Sequence, residues 1–474
     1  MPFYFYELIY SATITSLFLI SYLEVITSVK PGKKDQIIAA ELTELEKTNP
    51  TGEEELSLLT DWYGRIGDDE KAELFKKILL EKYPKCKIAE EEKVAEFRNE
   101  SSIDKKIEIA KEFEQQFPQS ENVEYLYDLT ANTYRDNKQY VEVLNFLKKN
   151  VSKTSTYRFY SVVNRMLDEN ADLVIALTIS ELGVERTRRE LENPSKEKPG
   201  YLSESEWLKD REYYLGLNLY GKGRVLYDMD KRKEAQFVLQ ESVQLTKKKD
   251  ELINELYAKS LIENGEYSTA MSEISGFIKS GYSTAQMKSF LKEAYLNEKG
   301  TDDGFETYAS QFEDAANEKL IQKLKNEMIL DPAPQFSLLD LEGNKVSLQD
   351  YKGKTIIIDF WATWCGPCLS SFPGMKQAIR KYADNDKVKF LFVNSWERVE
   401  DKRKNAIDFI SKNDYPFHVL LDDENIVIGK YMVSGIPTKF VIDSEGNIRF
   451  KNIGFSGSDD KLVEEISTMI SLVN

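Results

Sequence analysis

Cysteine and histidine are nearly absent from this 474-residue chain, which holds three of the first and one of the second. Three cysteines cannot make a structural disulfide framework. A single histidine, His418, beside two cysteines leaves no four-ligand zinc set, so no metal is expected. His418 sits in the alternating run Phe417–Leu421 and reads as a strand residue with a satisfied ring. Positive charge is also short: 64 Lys and Arg stand against 81 Asp and Glu, a formal charge of −17. That balance argues against nucleic acid and anionic membrane surfaces as partners, because both bind basic patches. What is present is core-forming material, 41% hydrophobic and 12% aromatic, in a chain long enough for two or three domains.

Long apolar runs are few. Leu8–Leu23 is a run of sixteen uncharged positions between Glu7 and Glu24, short for a membrane-spanning helix. It suits the apolar core of a signal peptide or an anchor within residues 1–30, the only membrane contact expected, and otherwise a buried helix. No cysteine directly follows the run to carry a lipid.

From residue 31 to 330 apolar residues recur at three- and four-residue spacings, which predicts helix after helix: Ile37–Glu46, Glu54–Ile66, Glu70–Tyr83, Ile103–Phe117, Val123–Arg135, Tyr140–Lys149, Trp207–Leu226, Lys233–Thr246 and Glu251–Glu263. Glu192–Ser203, with Pro194 and Pro199, is the longest loop candidate. Three turns align so that Ala235, Ala270 and Gly304 fall 35 and 34 residues apart. Small residues let the two helices of a hairpin approach, and the spacing resembles the tetratricopeptide repeat. Cys86, between helical patterns, reads as an inert thiol.

At Leu330-Asp331-Pro332-Ala333-Pro334 the pattern turns from helical to alternating. Strands, a buried run Thr355–Phe360, and helices then alternate to a closing hairpin and helix, which predicts an α/β sandwich with a mixed sheet over 331–474. The expected architecture is therefore multidomain, α followed by α/β.

Directly after the buried run comes Trp361–Cys368, WATWCGPC. A Cys-x-x-Cys at a helix start is a redox pair: Cys365 should be the exposed nucleophile and Cys368 the residue that resolves the mixed disulfide. An ordinary thiol with a pKa of about 8.5 is only a few per cent ionised at neutral pH. Gly366 and Pro367 place Cys365 at a first helical turn, where unpaired N–H groups and the helix dipole favour thiolate. Neither residue offers a side-chain donor, so the pair should be reducing, nearer about −270 mV than about −120 mV. Asp359 is the one charge in the buried run and is the candidate proton acceptor for Cys368, its pKa raised by desolvation. Trp361 should pack in the core and Trp364 cover the nucleophile or touch the client. Cysteines three apart on one helix weaken a peroxide-reducing reading.

The motifs Pro332-Ala333-Pro334, Leu341–Lys345, Asp359–Cys368, Phe372-Pro373 and Gly435–Thr438 resemble those of the thioredoxin superfamily, most closely the TlpA/ResA-type thiol-disulfide oxidoreductases of bacterial cell envelopes. The resemblance implies a cis-proline at Pro437 lying against the cysteine pair, with Ile436 offering backbone hydrogen bonds to an extended client. It implies no cofactor beyond the Cys365–Cys368 disulfide. It further implies a disulfide-containing client protein, an upstream electron-donating reductase, and a place in the cell envelope or periplasm, the alternative being cytoplasm. Two departures stand out: Ser371 occupies a position where envelope members often carry glutamate, and the lysine that partners the aspartate in thioredoxins has no evident counterpart, since the next strand reads Phe390-Leu391-Phe392-Val393. The function expected is reduction of protein disulfides, with the helical region binding clients or partners. The competing reading is a helical-repeat scaffold with a redox-sensing domain.

Overall fold

The computed structural model describes residues 12–29, 34–194, 198, 200–455 and 457–474. The chain divides into two compact units, Met1–Met229 and Asp230–Asn474.

The first unit is helical among its described residues, from Ala12–Val29 to Glu204–Asp228. Its helices bury residues at helical spacing. Thr156–Asp168 places Phe159, Val162, Val163 and Met166 in the core, one stripe at i, i+3, i+4 and i+7. Much of the Leu8–Leu23 run lies outside the described residues or within a stretch whose side chains are not described. Leu23 and Ile26 are buried with Ile38, Leu42, Leu58, Leu59, Trp62 and Tyr63. Among the described residues no helix is long and apolar enough to cross a membrane. Glu192–Ser203 lies partly outside the described residues and joins helices that end at Glu192 and begin at Glu204.

The second unit begins with five helices, Arg232–Leu245, Glu251–Glu263, Tyr267–Ser280, Gln286–Lys299 and Phe305–Glu327. Ala235 and Ala270 are each the fourth residue of their helix and fully buried, as small packing residues should be. Gly304 is not their equivalent. It precedes its helix with φ +80°, a left-handed conformation that glycine adopts without a Cβ penalty, so its small size serves the turn. In the earlier turn near Tyr140 the matching position is Val143, buried but not small.

Helix gives way to strand between Glu327 and Asp331, yet the compact unit reaches back to Asp230. The reason is packing. Leu324 is buried in the same cluster as Ile357, Phe372, Leu462, Ile466 and Met469, so the last helix of the series helps to fill the α/β core. Lys323 pairs with Glu465 at 3.4 Å, and Lys461 of the final helix reaches both Glu251 and the Gly281 carbonyl.

The strands are β1 (Asp331–Pro332), β2 (Ser337–Asp340), β3 (Lys345–Ser347), β4 (Thr355–Trp361), β5 (Val388–Asn394), β6 (Val419–Leu421), β7 (Thr438–Ile442) and β8 (Asn447–Ile453). They form one mixed sheet in the order β1-β8-β7-β4-β5-β6-β2-β3. β4 is internal, parallel to β5 and antiparallel to β7, and all seven of its residues are buried. Its side chains alternate between two cores. Ile356, Ile358 and Phe360 meet Val427, Ile428 and Phe440 on one face, while Ile357 and Trp361 meet Cys368, Phe372 and Met375 on the other. Period two therefore turns Asp359 toward the helix that carries the cysteines.

Candidate active site

The helix Gly366–Lys381 starts where β4 ends. Cys365 is its N-cap, Pro367 lies in its first turn where a missing N–H costs nothing, and the Cys368 N–H points at Cys365 Sγ across 3.2 Å. Cys365 and Cys368 are joined in a disulfide. The structure corrects one expectation here: Cys365 is only 3% exposed in this oxidised state. What covers it includes the segment before β7. The Ile436–Pro437 peptide is cis, and the Ile436 carbonyl oxygen stands 3.6 Å from Cys365 Sγ. Cys368 is fully buried, while Gly366 and Pro367 are exposed.

Pro373 lies inside the helix, where it removes one N–H from the helical ladder without breaking the helix. The Gly374 N–H donates to Asp459 Oδ1 at 3.0 Å, fastening the cysteine helix to the first turn of the last helix.

Trp361 and Trp364 take different places. Trp361 is fully buried, with its ring 5.3 Å from Phe372 and 5.6 Å from Phe409. Trp364 is 42% exposed, and its Nε1 donates to the Trp396 carbonyl at 2.8 Å.

Asp359 is completely buried, and the counterpart absent from the sequence reading is Lys439. In the antiparallel register of β4 and β7 the two residues are direct partners, and Lys439 Nζ lies 3.2 Å from Asp359 Oδ2. Lys439 also donates to Ser371 Oγ at 3.2 Å, and Ser371 donates to the Cys368 carbonyl at 2.8 Å. A chain of buried polar groups thus runs from Asp359 through Lys439 and Ser371 to the backbone of Cys368. Burial holds the Asp359 carboxyl above its ordinary range, with the Lys439 charge opposing it. The signal for Lys439 was present: it is the one charge in an otherwise apolar strand, the same feature that singled out Asp359.

Glu397 also escaped the sequence reading. Its carboxylate is buried and accepts from Thr363 N at 2.6 Å, Thr363 Oγ1 at 2.9 Å, Asn394 Nδ2 at 2.8 Å and Asn405 Nδ2 at 3.4 Å. It ties the segment before Cys365 to the end of β5, and no local pattern announces a carboxylate folded inward from a loop. Among the described residues no group of three or more His, Cys, Asp or Glu side chains is placed to hold a metal ion. His418 stands apart from these groups, its Nδ1 3.4 Å from the Tyr351 hydroxyl.

A disulfide capping a helix N-terminus can accept two electrons as a dithiol and return them to another disulfide, and the first turn of that helix stabilises the thiolate the exchange needs. This chemistry, on a mixed sheet of this order, defines the thioredoxin-like disulfide exchange proteins. Residues 329–451 match the AhpC/TSA family. The chain is 38% identical over 122 residues to the thiol-disulfide oxidoreductase ResA of Bacillus cereus, covering 26% of this chain and 68% of ResA. It is likewise 38% identical to the thioredoxin-like protein YneN of Bacillus subtilis, covering 26% and 69%. A thiol:disulfide interchange protein of Chlorobium tepidum has a solved structure that aligns over 31% of this chain and 97% of its own, at 27% identity and a TM-score of 0.27. The chain belongs to the family of ResA-type thiol-disulfide oxidoreductases.

Proposed function

We propose that the chain reduces disulfides in client proteins through Cys365 and Cys368. In the reduced form the Cys365 thiolate attacks a client disulfide, giving a Cys365–client mixed disulfide and releasing one client thiolate, which takes a proton. Cys368 passes its proton to Asp359 and attacks Cys365 Sγ. The Cys365–Cys368 disulfide forms, the mixed disulfide breaks, and the second client sulfur leaves as a thiolate that is protonated as Asp359 gives up its proton; two electrons have moved from enzyme to client. A dithiol reductase upstream restores the starting state.

The observation that carries this reading is the Cys365–Cys368 disulfide at the helix N-terminus, facing the Ile436 carbonyl at 3.6 Å. A client backbone lying along Ile436 and Pro437, with Trp364 at its side, would present its cystine to Cys365. The helical residues 31–330 serve in this reading to recruit clients or partners to the domain formed by 331–474. The working place is the cell envelope, with electrons from a membrane reductase, and cell fractionation checks that assignment.

Reduction of insulin disulfides with dithiothreitol, comparing wild type with Cys365→Ser, tests the chemistry. Loss of turnover in the variant is expected; equal rates would end the enzyme reading. Cys368→Ser should accumulate a covalent client adduct, because attack proceeds and resolution cannot.

A further inference from the structure

Arg398 lies over the exposed Trp364, its guanidinium carbon 3.9 Å from the ring centroid. The geometry points to this pair as a recognition platform for a carboxylate beside the client's cystine, an inference that rests on the disulfide-reductase reading above.

Three observations carry it. First, both partners are held in place before any client arrives. The Trp364 indole donates to the Trp396 carbonyl, the Trp396 N–H donates to Asn425 Oδ1 at 2.7 Å, and the Glu397 carboxylate binds Thr363 by both its N–H and its hydroxyl. The segment bearing Arg398 and the segment bearing Trp364 are thus joined on both sides of the pair. A platform fixed in this way loses little further entropy when it binds.

Second, the guanidinium is exposed and uncommitted. Its central carbon lies over the indole ring, and among the described residues no carboxylate lies within ion-pair distance. Two of the neighbouring acids are engaged elsewhere: Glu397 is turned inward on four donors, and Asp401 caps the helix Lys402–Asn413 through the Lys404 N–H, while the exposed Glu400 forms no ion pair with Arg398. Stacking leaves the edge of a guanidinium free for a bidentate carboxylate.

Third, the position is apt. Trp364 immediately precedes Cys365, so the cation stands at the rim of the disulfide. In a chain of net charge −17 an acidic peptide is repelled at long range, so any preference for one must come from a local cation such as this. Arginine and tryptophan are also among the residue types enriched at the binding hot spots of protein interfaces.

The test uses the full chain and two synthetic peptides with one intramolecular cystine each, flanked by Asp and Glu in one and by Lys and Arg in the other. Reduction is followed at low ionic strength with wild type, Arg398→Ala and Arg398→Lys, and wild type is also assayed with neutral hydroxyethyl disulfide. Wild type should prefer the acidic peptide by about tenfold in kcat/KM, with the preference fading as salt screens it. Arg398→Ala should lose or reverse the preference, and Arg398→Lys, which keeps charge without the planar stack, should fall between. If wild type reduces hydroxyethyl disulfide and the peptide ratio is the same in Arg398→Ala, the platform is refuted while the reductase reading stands. If wild type does not reduce the neutral disulfide, the reductase reading falls and the platform with it.

Discussion

Lys439 Nζ lies 3.2 Å from Asp359 Oδ2, both side chains buried beneath the cysteine helix, and neither carboxylate oxygen accepts a well-formed hydrogen bond among the described residues. The pair is therefore held chiefly by charge. A buried carboxylate so lightly partnered remains costly to ionise, which is why burial outweighs the lysine and the pKa rises. That property is what a proton acceptor for a buried thiol requires.

The first consequence concerns stability. The ordinary pKa of Asp359 is 3.8 and its folded-state value is higher. As the pH climbs past 3.8 the unfolded chain ionises first, so stability falls until the pH exceeds the folded-state pKa. Asparagine has no proton to lose, so Asp359→Asn should gain on wild type across that window by about 1.4 kcal/mol for each pH unit between the unfolded and folded pKa values. Hydrogen exchange of the β4 amides at pH 4 and pH 8 measures the gain, and a difference that does not widen with pH would contradict it.

The same variant should be slow. Without a proton acceptor for Cys368, resolution of the mixed disulfide should drop by about 100-fold, within the usual span for loss of a general base. The pH dependence assigned to Asp359 should vanish from the rate profile. Stopped-flow reduction of a cystine peptide between pH 5 and pH 9 reads both effects.

Lys439→Met should behave in the opposite sense. It strips the buried carboxylate of its counter-charge and raises its pKa further. At pH 8 the cost should be about 3 kcal/mol or more, shrinking toward low pH, where a protonated Asp359 needs no cation. Urea unfolding at the two pH values decides this, and a deficit independent of pH would mean that Lys439 acts through packing alone.

Glu397→Ala leaves the Thr363 N–H and the Asn394 amide without their acceptor in a buried site. A loss of about 2–3 kcal/mol is expected, together with increased mobility of Trp364. Thermal unfolding and the fluorescence anisotropy of Trp364, with the remaining tryptophans replaced by phenylalanine, check the two parts.

In the helical unit two glycines should respond in opposite ways. A Cβ at Gly183 would come within 2.2 Å of Asn218 Oδ1 and 2.6 Å of Phe159 Cβ, so Gly183→Ala should cost about 3 kcal/mol. At Gly221 the nearest atom is 3.5 Å away, and Gly221→Ala should gain about 0.5–1 kcal/mol from helix propensity. Thermal unfolding of the two variants gives both signs.

Much of this molecule was legible in its residues. The apolar run before WATWCGPC determined a buried strand leading into a helix, and Pro367 in the first turn determined which end of that helix the cysteines occupy. Apolar spacing determined the helical character of the described residues between 34 and 327, because a 3.6-residue period is a local property that survives whatever the helices later touch. Alternation did the same for the strands, and it placed Asp359 on the face of Trp361.

What required the tertiary structure was every relationship between residues far apart in the chain. Lys439 became the partner of Asp359 only when antiparallel pairing set β7 against β4 in one register. Glu397 became part of the site by folding inward from a loop, and Arg398 came to rest on Trp364 because the two segments are tied together there. Leu324 entered the α/β core although the change in sequence pattern lies after it. Periodicity records which face of an element is buried, whereas the identity of the neighbour across that face depends on register and loop path, and those are settled only when the whole chain packs.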